Sequence, residues 1–320
     1  MSQPRSCARR RAILRARRRR RALVILVLTA GMVITAAVVI PRALAPDAPA
    51  VAEDAPLIAA DAPAPAADAP SPAESPAPPT AVCDRPEVAA ALQTGTDADV
   101  IAAFGGGEAF RDAVATDAAP CIDLHDAGRL WVVVNKRNAL DPLEYWPTPQ
   151  ARPQDTRIVA GGWLLEPVAS ALDELSAAVS DAGAGTIAVS SGFRPYDFKV
   201  DTYRRYVSMR GQDAADLRSA RPGHSEHQTG LAVDVVACDS AGCGDHDGFG
   251  GTPQSDWIAE NAWRYGFVVR YEDGHTATTG YSAEPWHLRF VGRDLAAAYA
   301  EGGYTTLEEF FGLPAAPDYG

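Results

Sequence analysis

The distribution of proline divides this chain before any other feature does. Ten of the 35 residues from 46 to 80 are proline, six are acidic and none is basic. Asp-Ala-Pro recurs at Asp47, Asp54, Asp61 and Asp68, but the prolines forbid a helix, so the seven-residue period is not a heptad. Such a stretch cannot bury enough apolar surface to fold, and it is expected to be extended and partly polyproline II. At about 3.1 Å per residue it reaches about 110 Å. Residues 41–82 therefore read as a disordered linker, and any folded body lies beyond it.

The segment before the linker has the opposite charge character. Eleven of the 29 basic residues fall within residues 1–45 and none of the 41 acidic ones does, leaving 18 bases against 41 acids in the rest. An acidic body argues against a nucleic-acid partner, which needs a basic footprint. Residues 1–21 carry the run Arg17 to Arg21, and Ala22 to Ile40 follow as 19 uncharged residues. A helix of that length spans about 28 Å, close to a bilayer's hydrocarbon core. With arginines held on the cytoplasmic side, 1–21 is expected to be cytoplasmic, 22–40 transmembrane and the body extracytoplasmic. Ala43-Leu44-Ala45 also fits a signal-cleavage site, which makes secretion the alternative.

Cysteine usage agrees with export. Cys7 precedes the apolar run, while Cys83, Cys121, Cys238 and Cys243 form an even set beyond it. Disulfides are expected in that compartment. Of the three possible pairings, Cys83–Cys121 and Cys238–Cys243 are favoured because each brackets one local segment.

Residues 83–130 read as a helical lead-in, with helical character at Pro86–Leu92 and Asp97–Phe104 broken by Gly105-Gly106-Gly107. Trp131–Val134 is a strand candidate, and the Pro- and aromatic-rich Asn135–Pro149 an ordered loop. Leu165, Val168, Leu172, Leu175 and Val179 mark one face of an amphipathic helix, with Pro167 tolerated in its first turn. Strands are expected at Thr186–Ser190, Leu231–Val236, Phe267–Tyr271 and Trp286–Val291. Helices are expected at Tyr203–Met209, Trp257–Tyr265 and Arg293–Ala300. The mixture lacks strict alternation, so residues 131–313 are assigned to the α+β class, a small mixed or antiparallel sheet flanked by helices.

Two segments carry the chemistry: Pro222 to Asp234 (PGHSEHQTGLAVD) and Glu284-Pro285-Trp286-His287. Zinc takes about four ligands, and a catalytic zinc leaves one place open for water. His227, Asp234 and His287 supply three. The seven-residue step between the first two excludes a shared helix face. It suits a loop ligand followed by a strand ligand, with Gly230 turning the backbone between them. Glu284, three residues before His287, is placed to act as a general base without ligating. An apolar strand otherwise gives Asp234 no reason to be there, because a buried unpaired carboxylate is costly. His224 reads as supporting or solvent-facing. Asp245-His246-Asp247-Gly248 offers too few ligands for a cation loop and reads as a disulfide-closed surface loop.

These segments match the patterns S-x-H-x-x-G-x-A-x-D and E-x-W-H. In them the chain resembles the VanY-like D-alanyl-D-alanine carboxypeptidases, zinc peptidases of the LAS type, over about residues 130–300. The resemblance implies Zn2+ on His227, Asp234 and His287, with Glu284 as catalytic base. It implies that Arg194 faces the scissile carbonyl, and that Ser225 and Gln228 lie on the substrate side. Trp286 is expected as a pocket wall. The implied activity is removal of the terminal D-Ala from peptidoglycan stem peptides. Alternatives are an L,D-carboxypeptidase acting on tetrapeptide stems, a crosslink-cutting endopeptidase and a non-catalytic wall-binding module.

Overall fold

Three short helices, α1 (Pro86–Thr94), α2 (Asp97–Phe104) and α3 (Gly107–Ala115), open the computed structural model, which describes residues 81–320. The basic segment, the apolar run 22–40 and the linker through residue 80 lie outside the described residues. Among the described residues, no helix is long and apolar enough to cross a membrane. Thr96 caps α2 through a reciprocal pair, its Oγ1 accepting from Asp99 N at 3.2 Å while Asp99 Oδ2 accepts from Thr96 N at 2.8 Å. The glycine triplet, expected to break the helical stretches, is a corner that also starts a further helix. Gly105 ends α2 in the left-handed region (φ 106°), and at Gly107 a Cβ would sit 2.1 Å from the Asp294 carbonyl oxygen. Only glycine lets α3 approach that closely. A disulfide joins Cys83 to Cys121, as expected.

Two minor strands, β1 (Gln150–Ala151) and β3 (Leu164–Leu165), pair with each other. The main sheet contains β2 (Arg157–Ile158), β4 (Thr186–Ser191), β5 (Ala232–Asp239), β6 (Gly242–Cys243), β7 (Phe267–Tyr271) and β8 (Glu284–Phe290). Its order is β2-β4-β5-β8-β7 with β6 beside β5, parallel only at β2–β4. The sheet is thus mixed, in an α+β arrangement. Helices α4 (Glu166–Asp181), α5 (Tyr196–Arg210), α6 (Gln212–Asp216), α7 (Pro253–Asn261), α8 (Thr276–Thr279), α9 (Arg293–Glu301) and α10 (Leu307–Phe310) surround it.

The face read from the sequence packs as expected. Val168, Leu172, Leu175 and Val179 of α4 bury against Ile187, Val189, Val233, Val235 and Leu288. Alternation then sends Asp234 to the other face of β5. A second cluster joins Val100, Phe104 and Phe110 of the lead-in to Leu295, Tyr299 and Phe310, so 83–130 and the C-terminal helices share apolar contacts.

Trp131–Val134 is not a strand. The four residues are buried, and their backbone groups find partners outside any ladder. Val133 N donates to Leu124 O at 2.8 Å, and Val132 O accepts from the Arg289 guanidinium at 2.7 Å. Burial alone accounts for the apolar run that suggested a strand.

Candidate metal centre and catalytic cleft

His227 sits in a single 3-10 turn, Glu226–Thr229, closed by Gly230 in the left-handed region (φ 72°). Gly230 releases the chain into β5, where Asp234 pairs across the ladder with His287 of β8. Directly opposed residues of an antiparallel pair project to the same face with Cβ atoms about 5 Å apart. Strict alternation would put Glu284 and His287, three apart, on opposite faces. The β7–β8 register prevents this: Val269 pairs with Leu288 but Tyr271 pairs with Glu284, so β8 spends two extra residues between them. This bulge lets both side chains enter one cleft.

Ligand atoms from His227, Asp234 and His287, all buried, lie within 4.8 Å of one another. Their hydrogen bonds say what should occupy the space between them. His227 Nδ1 lies 2.7 Å from Gly192 O, an acceptor only, so Nδ1 carries the proton and Nε2 presents a lone pair. That buried lone pair lies 3.2 Å from Asp234 Oδ2 and has no hydrogen-bond partner. His287 differs in having a carboxylate beside each ring nitrogen, Nε2 lying 3.2 Å from Glu226 Oε2 and Nδ1 3.0 Å from Asp234 Oδ1. A lone pair of His227 facing a carboxylate at this distance calls for a cation between them, and His287 Nδ1 can turn to the same ion once its proton is displaced. Zinc bonds of about 2.0–2.1 Å in a tetrahedron place ligand atoms about 3.3 Å apart, so two imidazoles and a carboxylate fit the ion.

The titration behaviour follows from burial and these neighbours. Burial and Arg194 draw His227 down to about 4. Burial would also lower His287, but the hydrogen bonds it donates to Asp234 and Glu226 prevail and push it up to about 9. Burial opposes ionisation of Asp234 as well, yet the two imidazoles hold it well below the carboxylate range. Glu284, 3.9 Å from His287 Nδ1, is raised to about 7 by burial against the pull of His287, with Asp234 adding to the rise. A carboxylate poised near neutrality suits a general base.

Arg194 lies 3.7 Å from Asp234 Oδ2, and its buried Nε has no partner. It borders an open cleft of about 450 Å³ with Glu284 and Trp286. It also borders the hollow beneath, where Ser225 lies. Gln228 is not brought to either space. It is fully buried, and its Nε2 donates to Leu143 O at 2.8 Å and Tyr145 O at 3.3 Å, fastening the 135–149 loop. The Asp245–Gly248 segment follows the Cys238–Cys243 disulfide as expected, but it is more than a surface loop. His246 stacks on Trp286 with ring centroids 5.4 Å apart and bonds Ser190, forming one wall of the cleft. His224 is tied to Asn135 O at 2.8 Å.

Sequence reasoning missed the support beneath the metal ligands. Glu226 is buried, and its Oε1 accepts from Arg270 at 2.9 Å and Arg289 at 2.8 Å, while Arg270 reaches Glu308 at 2.7 Å. Arginines at 270 and 289 within apolar strands were the available signal, because buried charges require partners. Lys199 was missed too. It lines the hollow and is drawn down to about 7 by burial and Arg194.

Residues 162–293 match the VanY family, described as D-alanyl-D-alanine carboxypeptidase. The chain is 37% identical over 183 residues to the putative carboxypeptidase YodJ of Bacillus subtilis (strain 168), covering 56% of this chain and 66% of that one. It is 33% identical over 140 residues to a D-alanyl-D-alanine carboxypeptidase of Enterococcus faecium, covering 43% and 41%. The chain thus spans less than two-thirds of either curated relative. The solved structure of the LdcB LD-carboxypeptidase aligns with TM-score 0.54 at 35% identity, over 58% of this chain and 86% of that one. The three clustered residues, Glu284 and Arg194 all fall inside the matched span, and residues 162–293 form a domain of the VanY family.

Proposed function

We propose that this protein is a zinc-dependent carboxypeptidase that removes the terminal D-Ala from peptidoglycan stem peptides. The observation that carries the reading is the meeting of His227 Nε2, Asp234 and His287 Nδ1 beside Glu284 and Arg194, which border both the cleft and the adjoining hollow. His227, Asp234 and His287 would hold the ion, which when bound supplies Lewis acidity toward water and the peptide carbonyl. Glu284 then takes the proton of the attacking water and returns it to the departing amine. Arg194 directs its guanidinium toward the oxygen that gains negative charge. Ser225 and Trp286 line the space in which the peptide lies.

The membrane helix at 22–40 and the proline-rich tether belong to the same proposal. They place the catalytic body outside the cytoplasm, where its substrate is, and release after cleavage near residue 45 is the alternative topology. The likeness to LdcB favours a second activity, removal of D-Ala from tetrapeptide stems. Mass spectrometry of penta- and tetrapeptide muropeptides incubated with the full chain, with and without a chelator, separates the readings. Chelator-sensitive loss of one D-Ala from the pentapeptide is expected. Loss confined to the tetrapeptide moves the assignment to the L,D activity, and no loss from either refutes the peptidase reading.

A further inference from the structure

The cleft that holds Glu284 and Trp286 carries charge beyond the groups already placed in the mechanism. Arg210, the last residue of α5, borders it with Arg218, and so do Asp245 and Asp247. Arg218 and Asp247 face each other at 3.7 Å, which leaves Arg210 and Asp245 over. Among the described residues Arg210 has no ion pair, and its guanidinium lies 5.9 Å from the Tyr206 ring. Asp245 Oδ1 accepts from Gly248 N at 2.9 Å and meets no cation. One free charge of each sign on the walls of a reaction cleft biases what can enter it. The acidic wall is also fixed in place. The Cys238–Cys243 disulfide closes the hairpin before it, Gly244 N donates to Ala237 O at 2.9 Å, and Phe249 N donates to His246 O at 3.0 Å. His246 in turn rests on Trp286. The cleft measures about 450 Å³ against about 40 Å³ for the hollow beside it, so the acyl part of the peptide has room only in the cleft.

We propose that Arg210 and Asp245 select the third residue of the stem peptide, favouring a side chain that ends in a carboxylate and an ammonium on one carbon, as diaminopimelate does; this rests on the peptidase reading above. The third residue lies on the acyl side of the scissile bond in both pentapeptide and tetrapeptide stems. Arg210 takes the carboxylate and Asp245 the ammonium, each through charge-assisted hydrogen bonds. A lysine at the same position satisfies Asp245 but leaves Arg210 facing a cation with no anion between them, and like charges so placed are disfavoured. An amidated diaminopimelate loses the same anion. Arg218 and Asp247 neutralise each other and add no preference of their own.

The test uses the zinc-loaded full chain and four stem peptides, each as pentapeptide and tetrapeptide, that differ only at the third residue: diaminopimelate, its side-chain amide, lysine and norleucine. Wild type should favour the free diaminopimelate over its amide and over lysine by about 10-fold in kcat/KM, the worth of a hydrogen bond to a charged group. Arg210→Gln should bring those ratios to within about threefold of unity, with the loss falling on the free acid. Asp245→Asn should weaken the three peptides that carry an ammonium and spare norleucine. Calorimetric binding of the diaminopimelate and lysine peptides to Glu284→Gln, with and without Arg210→Gln, should show the same preference in the absence of turnover. Both residues are exposed, so the melting temperatures of the variants should match wild type. A wild type that is indifferent to the third residue, or that favours lysine, overturns the proposal. Equal loss on all four peptides in either variant makes that residue structural and overturns it too. Wild-type turnover of none of the four refutes the peptidase reading itself.

Discussion

Asp234 and His287 face each other directly across the β5–β8 ladder, with Asp234 Oδ1 3.0 Å from His287 Nδ1. Two of the three candidate metal ligands are thereby fixed by strand pairing rather than by loops. A one-residue slip would turn both away from the cleft. The third ligand, His227, is set by a turn held from the neighbouring strand end through Gly192 O.

Glu284→Gln should bind zinc as wild type does and lose turnover by about 10²- to 10⁴-fold, the usual share of a positioned acid–base group. Metal content by atomic emission and D-Ala release check the two halves separately. Activity equal to wild type would remove Glu284 from the mechanism.

Arg194→Met should lower kcat by about 10²- to 10³-fold with little change in zinc content, as loss of one donor to a developing oxyanion does. Steady-state kinetics on the pentapeptide stem read this out. A change confined to KM would instead make Arg194 a binding residue.

Zinc loading should release protons. His287 stands near 9 in the metal-free protein, so at pH 7 it carries a proton that the ion must displace. His227, near 4, is already neutral there. About one proton should appear per zinc at pH 7, measured by calorimetry in buffers of different ionisation enthalpy. Affinity should rise with pH by about tenfold per unit and level off near 9. The sign for metal-free stability is opposite. A pKa raised above its unfolded value of 6.5 stabilises fully below that value, and the contribution fades as pH climbs through about 9.

Glu226→Ala should cost about 3–5 kcal/mol, because it strands Arg270 and Arg289 in the interior. Melting temperature should fall by about 10 °C. Zinc affinity should drop by about 10- to 100-fold with the loss of the carboxylate beside His287 Nε2. Unchanged affinity in a chelator competition would limit Glu226 to packing.

The legible parts of the molecule were those written in local pattern. The α4 face, the β5 and β8 strands and the grouping of His227, Asp234 and His287 were legible in spacing, residue type and the family pattern. Three features were not legible, each for a physical reason. Trp131–Val134 satisfies its backbone with the Leu124 carbonyl and the Arg289 side chain, which composition cannot distinguish from a ladder. Gln228 lies next to His227 in sequence, but the 3-10 turn points it at the 143–145 carbonyls instead of the cleft. Lys199 sits on a helix whose exposed aromatic and methionine gave no reason to expect a buried ammonium.

Glu308 lies beyond residue 293, yet its carboxylate holds Arg270, which in turn holds Glu226 against His287. An excised fragment limited to the homologous stretch would keep His227, Asp234 and His287 and still leave two buried guanidinium groups, Arg270 and Arg289, sharing the single carboxylate of Glu226. The minimal catalytic unit is therefore longer than its recognisable signature, and a truncation meant for expression should retain the C-terminal helix.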